Sequence, residues 1–262
     1  MRIDLTTEPG DPARPNEDYA SVAVPASGQG GSLVVLDGVT PPSGDAGCLH
    51  SVPWFTAHLG GALSELSATR RDMTLLDILS TGITRTADTH RGTCDLSHPR
   101  TPQATVVLAR WDADVVEHLV LSDSALLVEA PDGTVTALLD DRLSRVPRAC
   151  LVSDEVADAT VRNKEGGFFT AAADPAVASR AVTGTLPRAD VRALAAMTDG
   201  VTRWVDTFGE GDWTDLFALV RKEGASGTVS RVRALETADE HTRTHLRRSK
   251  THDDASVVFA EL

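Results

Sequence analysis

No apolar run in this 262-residue chain approaches the roughly 20 residues that a membrane-spanning helix requires. The opening Met1-Arg2-Ile3-Asp4-Leu5 also lacks the basic-then-apolar order of a secretory leader. These absences predict a cytoplasmic protein with no membrane partner. Cysteine is scarce: Cys48, Cys94 and Cys150 are far apart, odd in number and outside any C-x-x-C spacing, so they read as reduced thiols with no assigned role. Basic side chains are in short supply, 25 Lys and Arg against 38 Asp and Glu, and the formal charge of −13 repels nucleic acid and anionic membranes at long range. Repeats of solenoid length and low-complexity tracts are missing too. What is present, 41% hydrophobic residues, suffices for a sizeable core and predicts one domain over residues 1–262.

The stretch Leu33-Val34-Val35-Leu36-Asp37-Gly38-Val39-Thr40 sets the pattern for the rest. Four consecutive apolar residues predict a strand buried on both faces, and Asp37-Gly38 ends it. An aspartate there, followed by the residue that lets backbone approach an ion or phosphate most closely, suits a hard cation. Leu194-Ala195-Ala196-Met197-Thr198-Asp199-Gly200-Val201-Thr202 repeats the arrangement almost letter for letter. Two copies of one local solution point to one physical task.

Upstream, two prolines predict an extended loop over 11–15, and the alternation over 19–24 predicts a strand with Arg14, Glu17 and Asp18 on its lip. A Gly- and Pro-rich loop over 40–47 precedes two helical patterns. The first, 51–68, places Trp54, Ala57, His58, Gly61, Ala62 and Leu66 on one face; the second, 75–90, carries a stripe of Leu76, Leu79, Ile83 and Ala87. His58 and His90 are assigned no chemistry. Strand patterns over 104–111, 115–121, 125–129 and 134–138 predict an antiparallel meander, whose second member delivers Asp123 at its end. Residues 140–167 have little periodicity, a mark of a functional or mobile segment, and carry the basic Arg162 and Lys164. Helices follow over 213–220 and 232–246, the latter with an exposed face of Glu236, Asp239, Glu240, Arg243 and Arg247. In Asp253-Asp254-Ala255-Ser256-Val257-Val258 the order is inverted, with aspartates leading into a strand.

Glu17/Asp18, Asp37, Asp123, Asp199 and Asp253 thus all fall at predicted strand ends. Gathered carboxylates repel, and burying them costs several kcal/mol per ion unless cations neutralise them. An all-oxygen site selects Mg²⁺ or Mn²⁺ over zinc. Two such ions about 3.5–4 Å apart lower the pKa of a shared water and aim it at phosphorus. Metal-assisted hydrolysis of a phosphate ester is the expected chemistry. The aspartyl-nucleophile alternative of haloacid dehalogenase type needs a second aspartate two residues away, and Val35 and Val39 occupy those positions.

Asn16-Glu17-Asp18, Val35-Leu36-Asp37-Gly38, Leu121-Ser122-Asp123-Ser124, Met197-Thr198-Asp199-Gly200 and Asp253-Asp254-Ala255-Ser256 resemble, in order and spacing, the successive motifs of the metal-dependent protein serine/threonine phosphatases of the phosphatase 2C family, bacterial type. The resemblance implies an α+β fold, a four-layer αββα sandwich of two antiparallel sheets flanked by helix pairs. It implies a site with two Mn²⁺ or Mg²⁺ ions and a phosphorylated Ser/Thr protein or peptide as substrate. By motif, Asp37 bridges the two metals, the Gly38 carbonyl binds one of them, and Asp199 and Asp253 hold the first. Glu17 contacts the second, and Asp18 orders metal-bound water. Arg14 resembles the phosphate-clamping arginine, a role that suits a bidentate fork. Residues 143–169 correspond to the family's flap, where Arg162 and Lys164 are the candidate substrate contacts.

The chain departs from the family in places. Arg14 lies one residue nearer the Asn-Glu-Asp motif than usual. Val39-Thr40-Pro41-Pro42 replaces a glycine-rich continuation and leaves no side chain there to protonate the leaving group. Ser122 replaces a glycine, and Gln103-Ala104-Thr105 stands where the family has glycine and small hydroxyl residues. Arg203 stands where an aspartate commonly helps to bind a third metal, so Asp123 is left as the possible contributor to a weak or absent third site. These departures carry the alternative expectation, a phosphatase-like binding or regulatory module with little catalysis.

Overall fold

Leu33, Val34, Val35 and Leu36 are buried to the last few per cent because the strand that carries them is covered on both faces. The computed structural model describes residues 1–41, 44, 46–242, 244–245 and 251–262. In chain order its elements are β1 (Arg2–Glu8), β2 (Tyr19–Ala23), β3 (Gly31–Leu36), α1 (Val52–Thr69), α2 (Leu75–His90), β4 (Val106–Trp111), β5 (Val115–Leu121), β6 (Ala125–Glu129) and β7 (Val135–Leu139). Then come α3 (Arg142–Arg145), α4 (Asp154–Thr160), β8 (Val182–Pro187), β9 (Ala193–Met197), α5 (Asp199–Asp206), α6 (Trp213–Thr242) and β10 (Ala255–Glu261), with short 3₁₀ turns at Arg148–Leu151, Pro175–Arg180 and Arg188–Asp190.

The strands form two antiparallel five-stranded sheets, β1-β10-β9-β6-β7 and β2-β3-β4-β5-β8. Alternation along each strand divides the apolar side chains between two faces. Leu33, Val35, Val107 and Val120 of one sheet meet Leu126, Leu194, Ala196 and Val258 of the other. The opposite faces pack outward: Val34, Leu36, Leu108 and Leu119 against α1 and α2, and Leu127, Ala195, Met197 and Phe259 against α5 and α6. The order of layers is helix, sheet, sheet, helix. Among the described residues no helix is long and apolar enough to cross a membrane.

Four details differ from the sequence reading. The meander breaks after β5: Leu121 pairs with Val106 in one sheet, whereas Ala125 pairs with Leu139 and Met197 in the other. The crossing is made at Ser122, whose φ of 70° is a left-handed conformation that costs a side-chain-bearing residue about 1–2 kcal/mol. On α1 the buried stripe is Val52, Phe55, Leu59, Leu63 and Leu66 rather than the face of Trp54 and His58, because the large aliphatic side chains, not the small residues, find the sheet. The two C-terminal helical patterns are the two limbs of α6, as expected, but they run on to meet at non-helical Gly224 (φ 77°), where Asp4 Oδ2 accepts the amide of Ala225 at 3.0 Å. Of the charged face expected beyond it, Arg243 and Arg247 lie outside the described residues, and Glu236 is buried. The strands β1 and β8 lie at sheet edges and have no continuous apolar run, so their sequences do not announce them.

The aperiodic segment also has structure. Helices α3 and α4 and the turn Arg148–Leu151 enclose a small apolar cluster of Val146, Ala157, Val161 and Phe168, with Leu143 and Cys150 against it.

Candidate metal centre

Asp37 leaves the end of β3 with its backbone locked by Thr105: the Thr105 amide donates to the Asp37 carbonyl at 2.9 Å, and the Asp37 amide to Thr105 Oγ1 at 3.2 Å. Thr105 Oγ1 in turn lies 2.6 Å from Ser124 Oγ, beside the turn that carries Asp123. The glycines after Asp37 and Asp199 have a steric reason. A Cβ on Gly38 would lie 2.5 Å from the Glu17 carbonyl oxygen, and one on Gly200 would lie 2.0 Å from that of Asp254. Each Asp-Gly pair therefore packs its backbone against another acid-bearing segment.

Side chains tie these segments together. Thr198, immediately before α5, donates through Oγ1 to Asp18 Oδ2 at 2.9 Å and accepts the amide of Ser256 at 2.9 Å. Asp254 accepts the amides of Gly10 at 2.8 Å and Glu17 at 2.6 Å, which pins the N-terminal loop to the entry of β10. Asp140 accepts the amide of Ser122 at 2.8 Å and a two-toothed pair from Arg142 at 2.6 and 2.7 Å, fixing the turn before Asp123.

Asp37, Gly38, Asp123, Asp199 and Asp253 line one cleft of about 1060 Å³, whose other wall is the segment bearing Leu143, Arg148, Arg162 and Phe168. An adjoining hollow of about 380 Å³ is lined by Arg14, Glu17 and Asp254 and shares Thr40 and Asp253 with the cleft. Burial pushes the Asp37 carboxyl well above the usual range, and the charges of Asp199, Asp18, Asp123 and Asp253 push it further. Asp18 is raised to about 8, first by burial and then by Asp254 and Asp199, against hydrogen bonds from Ser256 and Thr198 that lower it. Asp18 Oδ1 is buried and meets no donor. Clustered carboxylates held at that electrostatic cost, with an orphaned oxygen among them, fit hard divalent cations.

Residues 13–248 match the protein phosphatase 2C family. The chain belongs to that family. It is a metal-dependent serine/threonine phosphatase. The serine/threonine phosphatase Stp1 from Staphylococcus aureus is 14% identical, with a TM-score of 0.65 over 100% of this chain and 95% of that one. PstP/Ppp of Mycobacterium tuberculosis is 13% identical, with a TM-score of 0.60 over 100% and 98%. The catalytic domain of PstP in complex with two manganese ions is 15% identical, with a TM-score of 0.58 over 99% and 97%. At these identities the likeness establishes the fold. No curated protein sequence matches.

In this phosphatase 2C the expected site residues fall in three places. Asp37, Gly38, Asp123, Asp199 and Asp253 share the cleft, Glu17 and Arg14 face the hollow, and Asp18 lines neither but is held by Thr198. Glu17 accepts a hydrogen bond from the Thr40 hydroxyl. Arg162 lines the cleft, but its Nε donates to Asp158 at 2.9 Å and its guanidinium stacks on Phe168. Lys164 is exposed and turns its Nζ to the Ala159 carbonyl instead of the cleft.

Arg203 is buried, donating to Glu236 at 2.7 Å, Asp253 at 2.8 Å and the Thr251 carbonyl at 3.2 Å. It thus holds one oxygen of Asp253, an expected metal ligand, at a position that in the sequence reads only as a cation in place of an acid. Sequence reasoning missed Thr198, Asp140, Asp254, Glu236 and Arg148. Asp254 and Thr198 lie within recognised motifs and could have been found there; Glu236 carries no signal, because a glutamate on a charged helix looks solvent-facing.

Proposed function

We propose that the cleft hydrolyses phosphoserine and phosphothreonine esters in proteins or peptides with two Mn²⁺ or Mg²⁺ ions. The reading is carried by the convergence of Asp18, Asp123, Asp199 and Asp253 on the buried carboxyl of Asp37. In it Asp37 would serve both ions, Asp199 and Asp253 would hold the first, Glu17 would serve the second, and the Gly38 carbonyl would bind one of them. When bound, the ions supply Lewis acidity to a water and to the phosphoryl oxygens and neutralise the gathered carboxylates. Asp18, held by Thr198 through Oδ2, uses the otherwise unpartnered Oδ1 to accept a proton or hydrogen bond from solvent and so orient it. Arg14, exposed on the rim of the hollow, is placed to meet phosphate oxygens. Arg148 and Arg162, on the opposite wall, face the residues flanking the phosphate. Thr40 already donates to Glu17, so the leaving alkoxide takes its proton from solvent.

Arg203 favours one refinement. Its guanidinium, fixed on Asp253, would repel a further cation nearby, so Asp123 alone would support no third site and turnover would be slow. A low-turnover phosphopeptide-binding module is the limiting case. Phosphate release from a phosphothreonine peptide under Mn²⁺, compared with binding of the same peptide by calorimetry, separates the two. Rapid turnover excludes the module, whereas binding without release supports it.

A further inference from the structure

Cys48 and His50 precede α1, and His90 and Cys94 lie at and just beyond the end of α2, so the two helices bring four soft or borderline ligands to one end of their layer. Cys48 Sγ is 3.4 Å from His90 Nδ1, 3.6 Å from His50 Nδ1 and 3.1 Å from Cys94 Sγ, and Cys94 Sγ is 3.3 Å from His50 Nδ1. One ligand atom from each residue lies within 4.8 Å of all the others. Zinc bonds of about 2.3 Å to sulfur and 2.0–2.1 Å to nitrogen require tetrahedral edges of about 3.6 Å between S and N and about 3.8 Å between two sulfurs. The three S–N distances above meet that requirement to within about 0.3 Å, the S–S edge has to open, and the remaining edges lie within the 4.8 Å common to the four ligand atoms.

From this geometry we infer that Cys48, His50, His90 and Cys94 form a structural Zn²⁺ site, separate from the carboxylate cleft. The donor set is two thiols and two imidazoles with no carboxylate, which selects zinc over Mg²⁺ or Mn²⁺. With four protein ligands the coordination is closed, so the ion fastens rather than catalyses.

The surroundings suit that task. The amides of Leu49 and His50 donate to Cys94 Sγ and Cys48 Sγ, both at 3.4 Å, as stabilised thiolates require. His50 stacks on Trp54 at 4.0 Å between centroids, which holds its ring in place, and His90 is 2% exposed with Nδ1 turned to the sulfur. The Asp95 amide donates to the Gly47 carbonyl at 2.7 Å, zipping together the two ligand-bearing loops. The ion would anchor the far end of the loop that begins at Asp37-Gly38.

The test is metal analysis of the full-length protein after dialysis against excess Mn²⁺. About one zinc per chain is expected, kept by Asp37→Asn and Asp199→Asn and lost by Cys48→Ser and Cys94→Ser. Should those variants fold poorly, the wild-type protein serves: zinc should shield Cys48 and Cys94 but not Cys150 from a thiol reagent, and cobalt(II) should give the strong visible bands of a tetrahedral thiolate site. Zinc retained by both cysteine variants, equal reactivity of all three thiols with and without zinc, or a mapped Cys48–Cys94 disulfide in freshly purified protein would overturn the assignment.

Discussion

Replacing Arg203 with methionine removes a guanidinium whose side chain is 4% exposed from between Glu236, at 0%, and Asp253, at 17%. Stripping one partner from a buried pair costs about 3–5 kcal/mol, because the other charge stays desolvated. Glu236 keeps Arg233 at 2.8 Å and His252 at 2.8 Å, and Asp253 is partly solvated, so the lower end of that range applies. A loss of about 3 kcal/mol corresponds to a fall in melting temperature of roughly 6–12 °C in a protein of this size. Urea unfolding in the presence of a chelator measures it without a contribution from bound ions. Arg203→Met combined with Glu236→Gln should cost clearly less than the sum of the single changes, since neither partner of the Arg203–Glu236 contact is then left as a lone buried charge. A loss below about 1 kcal/mol, the range of an exposed pair, or strict additivity would refute the view of Arg203 as the buried tie between α5, α6 and the entry of β10.

Further outcomes follow from the same geometry. Gly200→Ala drives a Cβ into the Asp254 carbonyl, so the segment must shift; hydrolysis should fall by at least about tenfold with an overpacking cost of roughly 1–3 kcal/mol, read by activity and thermal melts together. In metal-free protein the raised pKa of Asp18 makes the folded state bind a proton that the unfolded state releases above pH 3.8, so its share of stability is full below that value and is lost as pH rises towards about 8. The shift in melting temperature on adding Mn²⁺ should therefore grow over that window, and a pH-independent shift would contradict this. Arg148→Ala should raise KM for a phosphopeptide several-fold, about 1 kcal/mol, while Lys164→Ala leaves it unchanged, because only Arg148 lines the cleft. Steady-state kinetics at saturating Mn²⁺ separates the two.

The buried strands and their terminal aspartates were legible because a doubly covered strand must be apolar throughout and a charge can appear only where it ends. β3, β6 and β9 declare themselves this way, as does the closing Leu119-Val120-Leu121 of β5, and Asp37, Asp123 and Asp199 with them. Hidden from the sequence was everything decided by which surfaces meet. Ser122 adopts a backbone shape that its side chain disfavours while Asp140 holds its amide, so the sheet change looks in sequence like a continuing meander. Glu236 looked like part of a solvated face until Arg203 and His252 closed over it. Lys164 had the right charge in the right segment but points elsewhere. The Cys and His cluster was invisible because its halves are separated by two whole helices, α1 and α2, and no local spacing betrays it.

Manganese binding followed by calorimetry, with aryl phosphate hydrolysis measured on the same samples, bears most directly on the carboxylate centre. About two ions per wild-type chain are expected, with both the binding and the manganese-dependent hydrolysis abolished by Asp37→Asn and the first ion lost in Asp199→Asn. Equal binding and equal rates in wild type and Asp37→Asn would contradict the account.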